Sequence, residues 1–180
     1  TYHPVTLEGN TSAQHMKELL AVLEQQERAQ LIFTMPNADT EGRVLFSMIE
    51  ELVRQNTERA KAFTSLGQLR YLSCLQHVDA VIGNSSSGLA EAPSFQIGTV
   101  NIGDRQRGRL KAASVIDCEP DHDSIRHALE KLYSSSFQNQ LASVRNPYGE
   151  GGASVAIVKT LEISLFDSLL KKQFYDLSAI

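Results

Sequence analysis

The sequence predicts an α/β fold, a mostly parallel sheet with helices on both faces, and three observations predict it. Short apolar runs recur along the chain, among them Leu31–Met35, Asp79–Gly83 and Thr99–Gly103. Runs of that length, bounded by turn residues and containing β-branched side chains, read as buried strands. Longer stretches between them carry apolar residues at i, i+3, i+4 and i+7, the spacing of amphipathic helices. Finally, the two patterns alternate, and alternation of strand with helix means βαβ units and a parallel sheet buried on both sides.

In order, Tyr2 to Thr6 reads as the end of a strand and a loop. Ser12 to Gln26 is a helix, with Met16, Leu19, Leu20 and Leu23 on one face. Leu31–Met35 is a strand stopped by Pro36-Asn37-Ala38-Asp39. Glu41 to Arg54 is a helix with Val44, Leu45, Met48, Ile49 and Leu52 facing inward. Ala62–Leu66 is a weaker strand, ended by Gly67, and Gln68 to His77 a short helix facing inward through Leu69, Leu72 and Leu75. The central strand Asp79–Gly83 leads into Asn84-Ser-Ser-Ser-Gly88, and helix-forming residues resume at Leu89 until Pro93. Thr99–Gly103 and Ser114–Asp117 are further strands. Asp123 to Tyr133 is a helix with Ile125, Leu129 and Leu132 inside. A turn-rich joint, Asn146 to Gly152, precedes a helical tail at 153–180 with a break near Ser164.

Composition narrows the function classes. The 180 residues are 42% hydrophobic and 21% charged with a formal net charge of -4, which suits a single globular domain with a core of its own. No Lys/Arg cluster accompanies that charge, which argues against nucleic acid. No apolar run is long enough to span a membrane and no signal peptide is visible, so a cytoplasmic protein is expected. Cys74 and Cys118 match no metal spacing and read as small buried thiols in a reducing compartment. Thr1 is not a natural start, and the chain is expected to begin partway into a larger protein.

The stretch Val81 to Glu91 carries the chemistry. A strand, a loop of small hydrogen-bonding residues and a helix start make an anion site, because the first N–H groups of a helix lack partners. Ser85 and Ser86 add hydroxyl donors. The plain alternative is that Asn84 to Ser87 caps a helix, as Ser and Asn do elsewhere. Glu91 follows one helical turn later. A phosphate would repel it, so its useful target is neutral and donor-rich, and a ribose diol fits; otherwise it is an acid stabilised by the helix dipole. Arg105, with Arg107 and Arg109 behind it, follows a strand end and could bind phosphate or hold a loop by pairing to carboxylates. His3 stands at a strand end before Pro4, either a structural hydrogen bond or a site imidazole. Asn37 follows Pro36, either an Asx turn or an amide that steadies a nucleotide. These polar residues gather at strand carboxyl ends, where ligands bind in parallel sheets. His15, His77, His122 and His127 read as surface or packing residues. No Ser-His-Asp set, zinc motif, Walker lysine or Gly-x-Gly-x-x-Gly occurs, so the serine loop reads as a binder and not as a nucleophile.

His3-Pro-Val-Thr6, Met35-Pro-Asn-Ala-Asp39, Ser65-Leu-Gly67, Val81-Ile-Gly-Asn-Ser-Ser-Ser-Gly88, Glu91-Ala-Pro-Ser-Phe95 and Thr99-Val-Asn-Ile-Gly-Asp-Arg-Gln-Arg-Gly-Arg109 occur in that order. Together they resemble the carboxyl-terminal half of hydrolysing UDP-N-acetylglucosamine 2-epimerases of the sialic-acid pathway, over nearly the whole chain. The resemblance implies a Rossmann-like domain, one half of the two-domain GT-B fold. Residues 1–180 would be its UDP-binding half, with the amino-terminal domain absent. The implied reaction turns UDP-GlcNAc and water into UDP and N-acetylmannosamine, for sialic acid and polysialic capsule, through elimination to a glycal. By the same resemblance Ser85 and Ser86 hold the diphosphate and Glu91 the ribose. Asn37, Arg105 and His3 line the cleft, His3 being the candidate catalytic residue. The carboxylates that move the C2 proton belong to the other half, so this chain alone should bind UDP and barely catalyse. Expected partners are UDP, UDP-GlcNAc, the chain's own amino-terminal domain and, at full length, further copies of itself; no cofactor and no metal are expected. Sister epimerases of UDP-diacetylated deoxysugars and GT-B glycosyltransferases are the alternatives. Retaining glycosyltransferases often carry a second glutamate eight positions before the first, and Gly83 stands there.

Overall fold

The computed structural model describes residues 1–5, 11–36 and 42–164, in two compact units, Thr1–Tyr148 and Gly149–Ile180. The first unit runs α1 (Ser12–Glu24), β1 (Leu31–Thr34), α2 (Gly42–Gln55), β2 (Ala60–Phe63), α3 (Gly67–Leu75), β3 (Ala80–Gly83) and α4 (Ser87–Ala90). A 3₁₀ turn (Ala92–Phe95), β4 (Gly98–Ile102), β5 (Val115–Cys118), α5 (His122–Leu132) and α6 (Ser135–Leu141) complete it. β1 pairs with β2, and β3, β4 and β5 pair in that order, all in parallel. Strands thus alternate with helices as the sequence predicts, in the Rossmann-like α/β class that makes up one half of a GT-B fold.

The first residues complete β3. The Thr1 amino group donates to the Ile82 carbonyl at 3.0 Å, and the Thr1 carbonyl accepts from Asn84 N–H at 3.3 Å. This is parallel pairing on the edge of β3 opposite β4. The Thr1 hydroxyl also meets that of Thr34 at the end of β1. Tyr2 is buried beside Thr1, consistent with the strand end read from the sequence.

The core forms where helix stripes meet β4. That strand is buried at every position, and Val100 and Ile102 sit among Ile125, Leu129 and Leu132 of α5. α1 packs against both α2 and α5, joining Met16, Leu19 and Leu23 to Leu45, Ile49 and Leu52. Each such side chain contributes about 1.5–3 kcal/mol when fully buried. Two inward-facing assignments fail: Leu69 is 81% exposed and Val44 is 51% exposed. In α3 the buried side is marked by Leu75 and, one turn earlier, half-buried Tyr71, and a helix turns by about 200° over the two residues from Leu69 to Tyr71. β2 also begins two residues before the predicted strand. α6 has no counterpart in the sequence reading; Ser134 caps it by accepting from Phe137 N–H at 3.3 Å. Cys74 and Cys118 are free thiols and only partly buried. Burial, with Asp121, Asp117 and Glu119 nearby, pushes the Cys118 thiol up to about 12, which leaves it unreactive near neutral pH.

In the second unit, α7 (Ala153–Ile163) follows Gly152 in the left-handed region (φ 81°) and stops at Ser164 in extended backbone. This helix ends where the break is expected, and the rest of the predicted helical tail, 165–180, lies outside the described residues. Among the described residues no helix is long and apolar enough to cross a membrane.

Candidate functional site

β3 delivers the chain to the candidate site through Gly83, at φ 134°. A Cβ there would lie 1.9 Å from the Thr1 carbonyl oxygen, so only glycine lets the first residues pair so close. Asn84 comes next and is fully buried. Its side-chain oxygen accepts from His3 N–H at 2.7 Å and its amide donates to the His3 carbonyl at 2.8 Å. Its own backbone carbonyl accepts from Arg105 Nη1 at 3.0 Å and Gln106 Nε2 at 2.8 Å. One asparagine therefore fastens three segments far apart in sequence: the start of the chain, the end of β3 and the loop after β4.

The serine loop sits on that anchor. Ser86 occupies the cap position before α4, yet its side chain makes no cap bond. Asn84 is engaged with His3, and Ser85 Oγ accepts from Ser87 N–H only at 3.4 Å. The helix-cap explanation of these residues therefore fails for Ser86 and is marginal for Ser85, leaving their hydroxyl hydrogens uncommitted among the described residues. The Ser85 and Ser86 carbonyls serve the turn, accepting from Gly88 N–H at 3.3 Å and Leu89 N–H at 3.0 Å. α4 is a single turn before the 3₁₀ segment, so its dipole is slight and any anion held here would depend on local donors. Gly88 packs this turn onto β4: the Thr99 hydroxyl donates to its carbonyl at 2.9 Å, and a Cβ on Gly88 would meet Thr99 Cγ2 at 2.6 Å.

Glu91 is half-buried one turn on. The Ser87 hydroxyl donates to Glu91 Oε2 at 2.5 Å, and Tyr71 of α3 bonds Ser87 Oγ at 2.5 Å. Arg105 is exposed, and one of its nitrogens holds the Asn84 carbonyl. It does hold a loop, but through a backbone carbonyl and not a carboxylate. His3 is half-buried with its backbone clamped by Asn84. Bonds to or within the Asn84–Glu91 stretch thus gather His3, Ser85, Ser86, Glu91 and Arg105 at one end of the β3–β4 sheet. Asn37 lies outside the described residues.

Asn84 as an anchor, Ser87, Tyr71 and Gln106 are the contributions that sequence reading misses. Ser87 reads from the sequence as part of the loop; because α4 begins at Ser87, two residues before the predicted helix start, it stands one helical turn before Glu91, where side chains meet. Tyr71 and Gln106 come from elsewhere in the chain and carry no local signal. A separate hollow of about 880 Å³ opens between β1 and β3, walled largely by apolar groups such as Leu19, Leu23, Phe33, Val81 and Leu129. None of Asn84 to Glu91 lines it, though Tyr71, Arg28, Gln30 and His77 do.

The profile of the family described as UDP-N-acetylglucosamine 2-epimerase matches residues 1–162. The chain is 40% identical over 178 residues to the GDP/UDP-N,N'-diacetylbacillosamine 2-epimerase (hydrolyzing) of Campylobacter jejuni, covering 98% of this chain and 46% of that protein. It is 31% identical over 179 residues to the polysialic acid biosynthesis protein P7 of Escherichia coli, covering 98% of this chain and 45% of that one. The chain thus spans about half the length of the curated relatives it matches. Among solved structures, the UDP-GlcNAc 2-epimerase of Methanocaldococcus jannaschii in complex with UDP-GlcNAc and UDP superposes with a TM-score of 0.69. Sequence identity there is 15%, and the match covers 91% of this chain and 44% of the other, a likeness of fold. With a profile matched over most of its length and a relative 40% identical along nearly all of it, this chain belongs to the UDP-N-acetylglucosamine 2-epimerase family.

Proposed function

We propose that this chain is the UDP-binding half of a hydrolysing 2-epimerase that converts UDP-GlcNAc to UDP and N-acetylmannosamine, a precursor for sialic acid and polysialic capsule. The observation that carries the reading is the pair of uncommitted hydroxyls at Ser85 and Ser86, on a loop anchored by Asn84 beside Arg105. In this reading the two serines and the loop's N–H groups donate to the diphosphate, and Glu91 accepts from the ribose hydroxyls. When the C1–O bond breaks, its electron pair goes to the departing UDP. Arg105, with His3 as candidate acid, meets the charge that develops there, where fixed donors lower the barrier most. Loss of the C2 proton leaves a glycal, and water then adds with inversion at C2. The carboxylates for that proton are assigned to an amino-terminal domain, as is the sugar-reading surface, and Asn37 is assigned to the same cleft. The chemistry balances with water alone and calls for no cofactor or metal. A cytoplasmic homo-oligomer is the expected working form.

A second reading is favoured by the relatives named as diacetylbacillosamine 2-epimerases, from Campylobacter jejuni and Legionella pneumophila, at 40% and 31% identity. There the sugar would be a diacetylated deoxysugar and the roles proposed for this half would be unchanged. The test is to titrate this chain with UDP and to incubate the full-length protein with each UDP-sugar. Release of free N-acetylmannosamine supports the first reading, and release of a diacetylated hexosamine the second. Transfer of sugar to an added acceptor, or failure of the chain to bind UDP, rejects both.

A further inference from the structure

We propose that Tyr71 is a positioning residue that, through Ser87, holds the Glu91 carboxylate ready for a ribose diol; the proposal rests on the ribose-binding reading of Glu91 given above. Hydrogen-bond arithmetic fixes the direction of the chain. A carboxylate only accepts, so the single hydroxyl hydrogen of Ser87 is the one shared with Glu91 Oε2. Ser87 can then only accept from its other neighbour, and Tyr71 O–H must donate to it. Burial raises the Tyr71 phenol above its usual range, and the Glu91 charge adds to this, so the donor keeps its proton at neutral pH. Two linked hydroxyls polarise in one direction, each strengthening the next.

The arrangement has a consequence for ligand recognition. Ser87 is the first residue of α4 and Glu91 stands four positions on, where side chains on one helical face meet. The phenol of Tyr71, arriving from α3, occupies a lone pair of the Ser87 oxygen and leaves its hydrogen for Glu91. One carboxylate oxygen is then engaged by protein and the other is left for ribose. Tyr71 would contact neither sugar nor phosphate and would act on affinity by orienting the acid that does.

The experiment compares UDP with 2′-deoxy-UDP by calorimetric titration of the chain and of its Tyr71→Phe, Ser87→Ala and Glu91→Ala variants, with melting temperatures as a fold control. Tyr71→Phe should lower UDP affinity about 3- to 10-fold, the range of one ordinary hydrogen bond, and lower 2′-deoxy-UDP affinity less. Ser87→Ala should match it, and the double variant should be no worse than Ser87→Ala alone. The proposal is overturned if Tyr71→Phe leaves the UDP to 2′-deoxy-UDP ratio unchanged while Glu91→Ala narrows it. If Glu91→Ala itself leaves that ratio unchanged, the ribose reading fails and the positioning role falls with it.

Discussion

The start of α4 and the starts of α5 and α6 are made of similar residues but use them differently. At α5, Asp121 accepts from Ser124 N–H at 2.9 Å, and at α6, Ser134 accepts from Phe137 N–H at 3.3 Å. Each polar side chain is absorbed by its own helix. At α4, Ser86 stands in the same position and caps nothing, Ser85 offers only a long contact, and Asn84 reaches away to His3. A serine before a helix therefore says little by itself. What marks a binding loop is donors left over after the local backbone has been served.

Four variants test or sharpen this contrast. The largest effect is expected from replacing Ser85 and Ser86 together by alanine. If each donates a charge-assisted bond of about 1.5–3 kcal/mol to the diphosphate, UDP affinity falls by at least about 100-fold in a titration, while the melting temperature scarcely moves. An equal loss in stability would mean that the hydroxyls serve the fold. Gly83→Ala comes next, because its Cβ would run into the Thr1 carbonyl at a positive φ. A loss of about 3 kcal/mol in chemical denaturation is expected, with UDP binding weakened as the Asn84 anchor shifts. Ser134→Ala removes a cap that serves only its helix. It should cost about 1 kcal/mol, lowering the melting temperature by roughly 2–4 °C for a domain of this size, and leave UDP affinity untouched.

The smallest effect concerns acid. Hydrogen bonds from Ser124 hold the Asp121 carboxyl below its usual value of 3.8. A carboxyl depressed on folding adds stability that is present above its unfolded value and lost as pH falls through the folded one. Thermal melts below about pH 4 should therefore decline slightly less steeply for Asp121→Asn, which keeps a cap without the charge. An unchanged acid slope would remove Asp121 from the account.

Much of the fold could be read in advance because its elements are set by local repetition. β1, β3, β4, α1 and α5 fall within a few residues of the runs that predict them, since burial on one or both faces writes a period into the sequence. Where that period is weak the reading slips: β2 carries Lys61 in a short run, α6 has only Phe137 and Leu141 buried, and Leu69 looks inward by spacing but faces water. At the site, Ser85, Ser86 and Arg105 stood out because they follow apolar strands at the end where ligands bind in parallel sheets, and Glu91 because it lies one helical turn on. Asn84 belonged to the same loop, but its work is done on the backbone of His3, and nothing local shows that.

By itself the sequence determined the α/β class, the parallel strands and the motifs that carry the family likeness. These depend on side-chain chemistry repeated over a few residues, which the chain states directly. Only the tertiary structure decided which hydroxyls are free and which are taken. It alone set Tyr71 against Ser87, Asn84 against His3, and Arg105 against the carbonyl of Asn84. Those pairings join residues 16 to 81 positions apart, and a hydrogen bond is fixed by distance and angle in space, which no local pattern encodes.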